Sequence, residues 1–363
     1  FALEKIVDFL LEEKIEVINI EICPHNHLIN GEPLSNLFKF WKKRNIKKYY
    51  LMFFLTKDYA KHILRRRRTL SFILNNTNRS EKVYPTPESL SKSNSYDVII
   101  VGSDQVWNFK SSVYNFCLLN YLDGNDVKKI AYSASLGWEK LPDKYVEKFR
   151  DAIIDFQYIS LREKRSIKTL EAIVPNKKID YCVDPTILAG VDFWEKLSTS
   201  PTKYTSNYVV VYWLSSIESL EKILILLNKN GTRKIVLLAS WYQLFLSSKN
   251  PYLLKKKIVE LKTKYNVEWE IDAGPFEFIN IFKNASFVAS SSFHALMFAT
   301  IFKKPFKIFV NVDGFNPMCN RIYDFCLEYF KTDKYIVDCQ TTNLLDVDFS
   351  FNVNWEDVWL ELD

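Results

Sequence analysis

Asp97–Asn108 reads DVIIVGSDQVWN. Four β-branched apolar residues, Val98 to Val101, run without a polar interruption and stop at Gly102. A strand buried on both faces reads this way, because helices cover both sides of a parallel sheet. Its carboxyl end delivers Ser103, Asp104 and Gln105 to the sheet edge, which is where ligands sit in open α/β sheets.

The same alternation continues to either side. Strands are expected at Lys129–Ser133, Tyr158–Leu161 and Tyr181–Val183, with helices at Pro142–Ala152 and Glu163–Ala172. Residues 190–206 break the rhythm with Lys, Ser, Thr, Pro and Asn. A second series follows, with strands at Tyr208–Leu214, Lys234–Ala239, Val267–Ile271, Ser286–Ala289 and Phe306–Phe309. Helices at Ile217–Asn228, Pro251–Tyr265, Phe276–Phe282, Phe293–Phe302 and Cys319–Tyr329 separate and close them. Two such β-α series predict an α/β protein of two doubly wound, Rossmann-like domains facing each other across a cleft. The first is expected over residues 1–190 and the second over 205–340, with a tail in 341–363 ending in the amphipathic helix Trp355–Leu362. Upstream, an amphipathic helix is expected at Ala2–Glu13, a strand at Val17–Ile22 and a helical, aromatic-rich stretch over 33–75. Asn75–Ser95, polar and with two prolines, reads as a surface loop. Because Phe1 begins directly in a helical pattern, a preceding segment is expected.

Composition closes off several functions. The chain has 8 glycines in 363 residues, far below the usual ~7 %, and the nearest two, Gly124 and Gly137, are thirteen positions apart. Neither a G-x-G-x-x-G dinucleotide loop nor a G-x-x-x-x-G-K-[ST] phosphate loop can be written here. Phosphate must be held by helix N-termini or arginines. Six cysteines form no C-x-x-C pair and four histidines no zinc spacing, so no metal is expected and the thiols read as reduced core residues of a cytoplasmic protein. No apolar run has the length of a membrane span. Lys and Arg total 49 against 43 Asp and Glu, a net charge of +6. That suits anionic substrates or a peripheral seat on the inner face of a membrane, and does not single out nucleic acid. Lys61–Arg68, with four consecutive arginines, is either a solvated helix face or a phosphate-docking patch.

Three strand ends offer chemistry. At the first, Gly102-Ser103-Asp104-Gln105, Asp104 either acts as a base and hydroxyl ligand or caps a turn. At the second, Arg162 follows Ile159-Ser160-Leu161 and either forks onto a carboxylate or phosphate or joins a surface ion pair. At the third, Ser290-Ser291-Ser292 precedes the helix that opens Phe293-His294. An uncompensated helix N-terminus there attracts anions, and His294 in its first turn is either structural or a general acid that charges when an anion arrives. Asp346-Val347-Asp348 has the D-x-D form of a metal pair but lies in a polar tail, where coincidence is the better reading. Trp213, Trp241 and Tyr242 are read as core rings or sugar-stacking faces.

Taken together, DVIIVGSDQVWN (97–108), IAYSASLG (130–137), ISLREK (159–164), VDPTIL (183–188), the stretch ending SSSFHALMFATIFKKPF at Phe306, and Asn320-Arg321-Ile322 resemble the polysaccharide pyruvyl transferase family. The resemblance implies a two-domain architecture similar to GT-B glycosyltransferases, with the acceptor on the N-terminal side and the donor on the C-terminal side. It implies transfer of the pyruvyl group of phosphoenolpyruvate, a co-substrate and not a bound cofactor, to two hydroxyls of a sugar. The acceptor would be a polysaccharide precursor such as a lipid-linked oligosaccharide of a capsule or cell wall. By position, Arg162 and His294 match the Arg and His used around phosphoenolpyruvate. On that reading Asp104 takes hydroxyl protons, while Gly102, Ser103, Gln105, Ser291 and Ser292 line the substrate. Two departures stand out. Ser292 replaces the Arg of an R-x-H pattern common in relatives, leaving Arg321 or a lysine to supply the cation. The chain also starts after the strand and Gly-containing loop with which many relatives begin. A nucleotide-sugar glycosyltransferase is the alternative, and a catalytically inert sugar-binding relative a third reading.

Overall fold

The computed structural model describes residues 18–22, 56–92, 96–122, 127–198, 203–204, 207–228, 232–239, 244, 251–314 and 319–362. The expected helix at Ala2–Glu13, most of the aromatic-rich stretch up to residue 55, and Trp241 and Tyr242 lie outside them.

The chain enters through β1 (Asn19–Ile22), α1 (Thr56–Asn76), β2 (Arg79–Tyr84) and α2 (Pro87–Ser91), with β1 and β2 paired in parallel. The surface loop expected over Asn75–Ser95 is therefore corrected: it holds a strand and a capped helix. β2 reads as polar because Glu81, Lys82 and Val83 are exposed while Tyr84 is buried. Tyr84 and Leu90 pack on Phe116, and Thr86 closes a reciprocal capping box with Ser89 at the start of α2.

A four-stranded parallel sheet follows in the order β3-β4-β5-β6. It comprises β3 (Val98–Val101), α3 (Tyr114–Cys117), β4 (Lys128–Ala134), α4 (Asp143–Ile153), β5 (Tyr158–Leu161), α5 (Lys164–Ile173) and β6 (Asp180–Tyr181). Its core gathers Ile99, Val101, Ala131, Ile159 and Leu161 with Trp107, Phe149 and Phe156. Gly137, at φ +65°, ends the IAYSASLG motif where any Cβ would meet Asn108 Nδ2 at 2.9 Å; only glycine fits that turn without strain.

After α6 (Pro185–Leu188) and α7 (Gly190–Leu197) comes the larger sheet. Its elements are β7 (Tyr208–Trp213), α8 (Ile217–Leu227), β8 (Lys234–Ala239), α9 (Pro251–Lys264), β9 (Val267–Trp269), α10 (Pro275–Lys283), β10 (Phe287–Ser290), α11 (Phe293–Ile301), β11 (Phe306–Val310), α12 (Asn320–Tyr329) and β12 (Ile336–Asp338). All six strands are parallel, in the order β12-β11-β10-β7-β8-β9. The winding reverses between β7 and β10, and a doubly wound sheet opens its ligand crevice at that reversal. α11 sits in the core with Phe293 and every residue from Ala295 to Ile301 buried; apolar all round, it is a core helix and not an amphipathic surface one.

The chain joins the second domain's core before the expected break at 190–206, because Val183, Ile187 and Trp194 already pack with Ile279, Phe298 and Ile301. The tail helix α13 (Trp355–Leu362) docks on the second domain through Val358 and the Trp355–Phe330 ring pair. The domains meet through the paired hydroxyls of Tyr181 and Tyr329 and through Lys164–Glu328 and Arg165–Asp324 ion pairs. These are the two parallel α/β sheets expected from the sequence. Among the described residues no helix is long and apolar enough to cross a membrane.

Candidate functional site

The carboxyl ends of three first-domain strands converge on one guanidinium. Arg162, the residue after β5, is wholly buried, its side chain 0 % exposed. Nη1 donates to Asp184 Oδ2 at 2.5 Å and Nη2 to Asp104 Oδ1 at 2.6 Å. Asp184 follows β6 and caps α6, accepting the Thr186 N–H at 2.9 Å; Asp104 follows β3. The fork that the sequence offered to a substrate anion is thus already filled by two aspartates. Burial disfavours the Arg162 charge, but Asp184, Glu163 and Asp104 outweigh it and hold the guanidinium ionised.

The second domain closes over this pair. The Arg162 guanidinium carbon lies 4.8 Å from the centre of the Phe293 ring, and that of Arg321, from α12, lies 5.3 Å from the same ring. Arg321 Nη1 also approaches Asp104 Oδ1 at 3.4 Å. Arg321, expected as a replacement for the missing arginine at Ser292, is therefore brought to the site. Asp104 remains the accessible member: its side chain is 52 % exposed, and among the described residues Oδ2 has no partner.

His294 occupies the first turn of α11, at the reversal between β7 and β10. The strand ends are tied there by Ser290 Oγ donating to the Tyr212 carbonyl at 2.5 Å and Leu214 N–H donating to Ser291 Oγ at 3.2 Å. Ser292 makes no side-chain cap, so no side-chain hydroxyl closes the first-turn N–H groups of this nine-residue helix, whose end is electropositive. Of the three serines expected to cap or bind, Ser290 and Ser291 hold the strand ends.

Electrostatics divides these groups. Burial opposes ionisation of Asp104 and Asp184, yet the influences led by the Arg162 guanidinium outweigh it, and the Asp184 carboxyl falls to about 2. For His294, burial is the largest influence and lowers its pKa; Arg162 and Arg321 add to this, against Asp184 and Asp104. The resting imidazole is neutral. Glu163, next to Arg162 in sequence, goes the other way: complete burial raises its pKa more than Arg162 and the Ser135 hydroxyl lower it. The two ionised aspartates and the two arginines balance each other's charge.

Ser103 Oγ stands 3.4 Å from Asp184 Oδ2, within the cluster. Gln105 is turned to local use, its Oε1 accepting from Asn108 Nδ2 at 2.8 Å. Trp213 is a core ring, packed edge-on against Phe309. The acidic pair of the tail is structural: Asp346 accepts from Asn343 and Asp348 from Ser350. In the arginine run, Arg68 donates to the Asp272 carbonyl at 2.8 Å and pairs with Glu277, seating α1 on α10. Gly274 makes this possible, since a Cβ there would meet Arg68 Cβ at 2.6 Å. Arg65 lies close enough to Tyr212 for its charge to oppose the rise that burial imposes on that phenol. Two of the four arginines therefore face protein, not a solvated patch.

Asp184 and Glu163 were quoted within motifs but given no role from the sequence. The strand-end rule that selected Asp104 and Arg162 also selects Asp184, with Pro185 marking it as a helix cap. Nothing in the sequence separates Glu163 from a surface glutamate.

The sequence profile of a family described as polysaccharide pyruvyl transferase matches residues 2–313. No curated protein sequence matches the chain. Among solved structures, the chain is similar to UDP-GlcNAc 2-epimerase from Neisseria meningitidis bound to UDP-GlcNAc, at 12 % identity and a TM-score of 0.44, over 92 % of this chain and 90 % of that one.

Proposed function

The chain belongs to the polysaccharide pyruvyl transferase family, and on that premise we propose that it transfers the pyruvyl group of phosphoenolpyruvate to two hydroxyls of a glycan precursor, closing a cyclic ketal and releasing phosphate. The observation that carries this reading is the meeting of Asp104 with His294 and Arg321 over the buried Arg162–Asp184 pair. It puts an ionised carboxylate beside a neutral imidazole, a cation and an uncapped helix end.

Phosphoenolpyruvate brings a carboxylate and a phosphate. On this reading Arg321 and the first turn of α11 receive them, and the negative charge stabilises a proton on His294. His294 then serves as the acid. Addition of the first hydroxyl to C2 accompanies protonation of the methylene carbon to a methyl. Cleavage of the C2–O bond releases phosphate, and the second hydroxyl attacks C2 to close the ring. One hydroxyl proton ends on the methyl group and the other on phosphate, so atoms balance. Asp104 orients the hydroxyls and takes their protons in transit. Arg162, with no open face, is a positioning residue that fixes Asp104 and keeps it ionised.

Calorimetric titration with phosphoenolpyruvate, alongside a panel of nucleotide sugars, tests the reading. Phosphoenolpyruvate should bind and nucleotide sugars should not. Binding of a nucleotide sugar alone would reassign the α11 end to a sugar diphosphate.

A further inference from the structure

Resting on the pyruvyl-transfer reading, we propose that a small cavity between the domains, behind Arg321, is the subsite that holds a hydroxyl-bearing ring of the glycan acceptor. The cavity has a volume of about 100 Å³ and is lined by Glu139, Glu163, Ser166, Thr169, Asn320 and Arg321 among others. Only a few buried side-chain N or O atoms among the described residues lack a hydrogen-bond partner, and two of them belong to residues that line this cavity: Glu163 Oε2 and Arg321 Nε. Unpaired buried polar groups are costly, and a donor and an acceptor left open in one wall mark a site completed by something else.

Complementarity selects the ligand. Arg321 Nε–H is a donor, and Glu163 Oε2 is an acceptor when ionised or a donor when protonated. A hydroxyl answers both, since it donates and accepts. An anion fits poorly, because Glu139 and Glu163 stand in the wall and both arginines are engaged, Arg165 with Asp324 at 2.6 Å and Arg321 with Asp104. The remaining lining groups are also those that grip sugar hydroxyls: the hydroxyls of Ser166 and Thr169 on α5, and the Asn320 amide, which donates to Glu139. At roughly 10–15 Å³ per water, the space holds several waters, enough for the hydroxyl-rich edge of a sugar. Arg321 faces Asp104 on one side and lines the cavity on the other, linking acceptor recognition to the hydroxyl-orienting carboxylate. A second cavity, of about 470 Å³ near Pro85 and Lys148, shares no residue with this cluster.

The test fills the cavity from its half-exposed wall. Saturation-transfer NMR on the full chain would use methyl β-D-glucopyranoside, methyl β-D-galactopyranoside and methyl N-acetyl-β-D-glucosaminide as probes. Thr169→Phe, and independently Ser166→Leu, should weaken glycoside binding by roughly tenfold or more, the scale on which a misfilled pocket discriminates. Both variants should keep the wild-type affinity for phosphoenolpyruvate. Absence of transfer to any glycoside in the wild type, or transfer that survives both substitutions, overturns the proposal. So does inorganic phosphate binding that Thr169→Phe abolishes, which would make the cavity an anion site. Phosphoenolpyruvate failing to bind the wild type would instead remove the pyruvyl-transfer reading, while the glycoside arm still reports on the cavity.

Discussion

The two halves of the site are built in opposite ways. On the first domain, charges are fixed in advance: Arg162 is enclosed between Asp104 and Asp184, with the carboxyls paired and ionised. On the second, almost nothing is charged. An apolar core helix presents backbone N–H groups and a neutral His294 at a sheet reversal, with Arg321 as its contribution of positive charge. One half is preorganised, and on the proposed function the other changes protonation when an anion arrives. Preorganised charge is effective in catalysis because it needs no rearrangement at the moment of reaction, while the proposal gives the imidazole the task of supplying the proton.

The sharpest way to break this contrast is to unpair the fixed half. Arg162→Met leaves Asp184 buried without its cation and should cost about 3–5 kcal/mol, read as a fall in the urea midpoint. Arg162→Met combined with Asp184→Leu should regain most of that loss, since replacing both partners of a buried pair is far milder than removing one. Equal losses in the single and double variants would mean that Arg162 stabilises through other contacts. In the responsive half the outcome is inverted. His294→Asn should lower turnover on the order of 10²–10⁴-fold while stability moves by about 1 kcal/mol or less. A large stability loss with modest kinetic effect would make His294 structural.

Titration separates the halves further. Asp184, with a carboxyl at about 2 against an ordinary 3.8, contributes stability that is complete above the ordinary value and lost as pH falls through the folded one. His294, lowered below 6.5, binds its proton more readily unfolded, so its contribution declines as pH drops below 6.5. Glu163, raised by burial, contributes stability below its ordinary value that is lost as pH climbs through the folded one. Glu163→Gln should therefore cost least at alkaline pH, and Asp184→Asn most near neutrality, in thermal melts across pH. The smallest expected effect is Ser291→Ala, which frees the Leu214 N–H. It should cost about 1 kcal/mol, the worth of one hydrogen bond, with phosphoenolpyruvate affinity unchanged.

Both parallel sheets and the strand ends that form the candidate site were readable in the chain because parallel strands announce themselves. VIIV in β3 and YVVVYW in β7 are continuous apolar runs, and each ends in polar residues. Strand ends then converge by topology, so Asp104, Arg162 and His294 needed no long-range information to be chosen. What strand ends cannot announce is pairing. That Arg162 spends its fork on Asp104 and Asp184 depends on a contact across 58 and 22 positions, for which local sequence carries no signal. β2 was read as loop because RSEKVY exposes most of its length, and its burial rests on Tyr84 meeting Phe116 far along the chain. Arg68 was likewise hidden in a charge run, since only the absence of a Cβ at Gly274 reveals where it docks.

The measurement that bears most directly on the two-part site is proton linkage on binding. Calorimetry of phosphoenolpyruvate at mildly alkaline pH, in buffers of different ionisation enthalpy, counts protons taken up by the complex. Uptake of close to one proton in the wild type, absent in His294→Gln and kept in Ser291→Ala, is the expected result. Tight binding with no proton uptake in the wild type would contradict a neutral His294 that charges when its anion arrives.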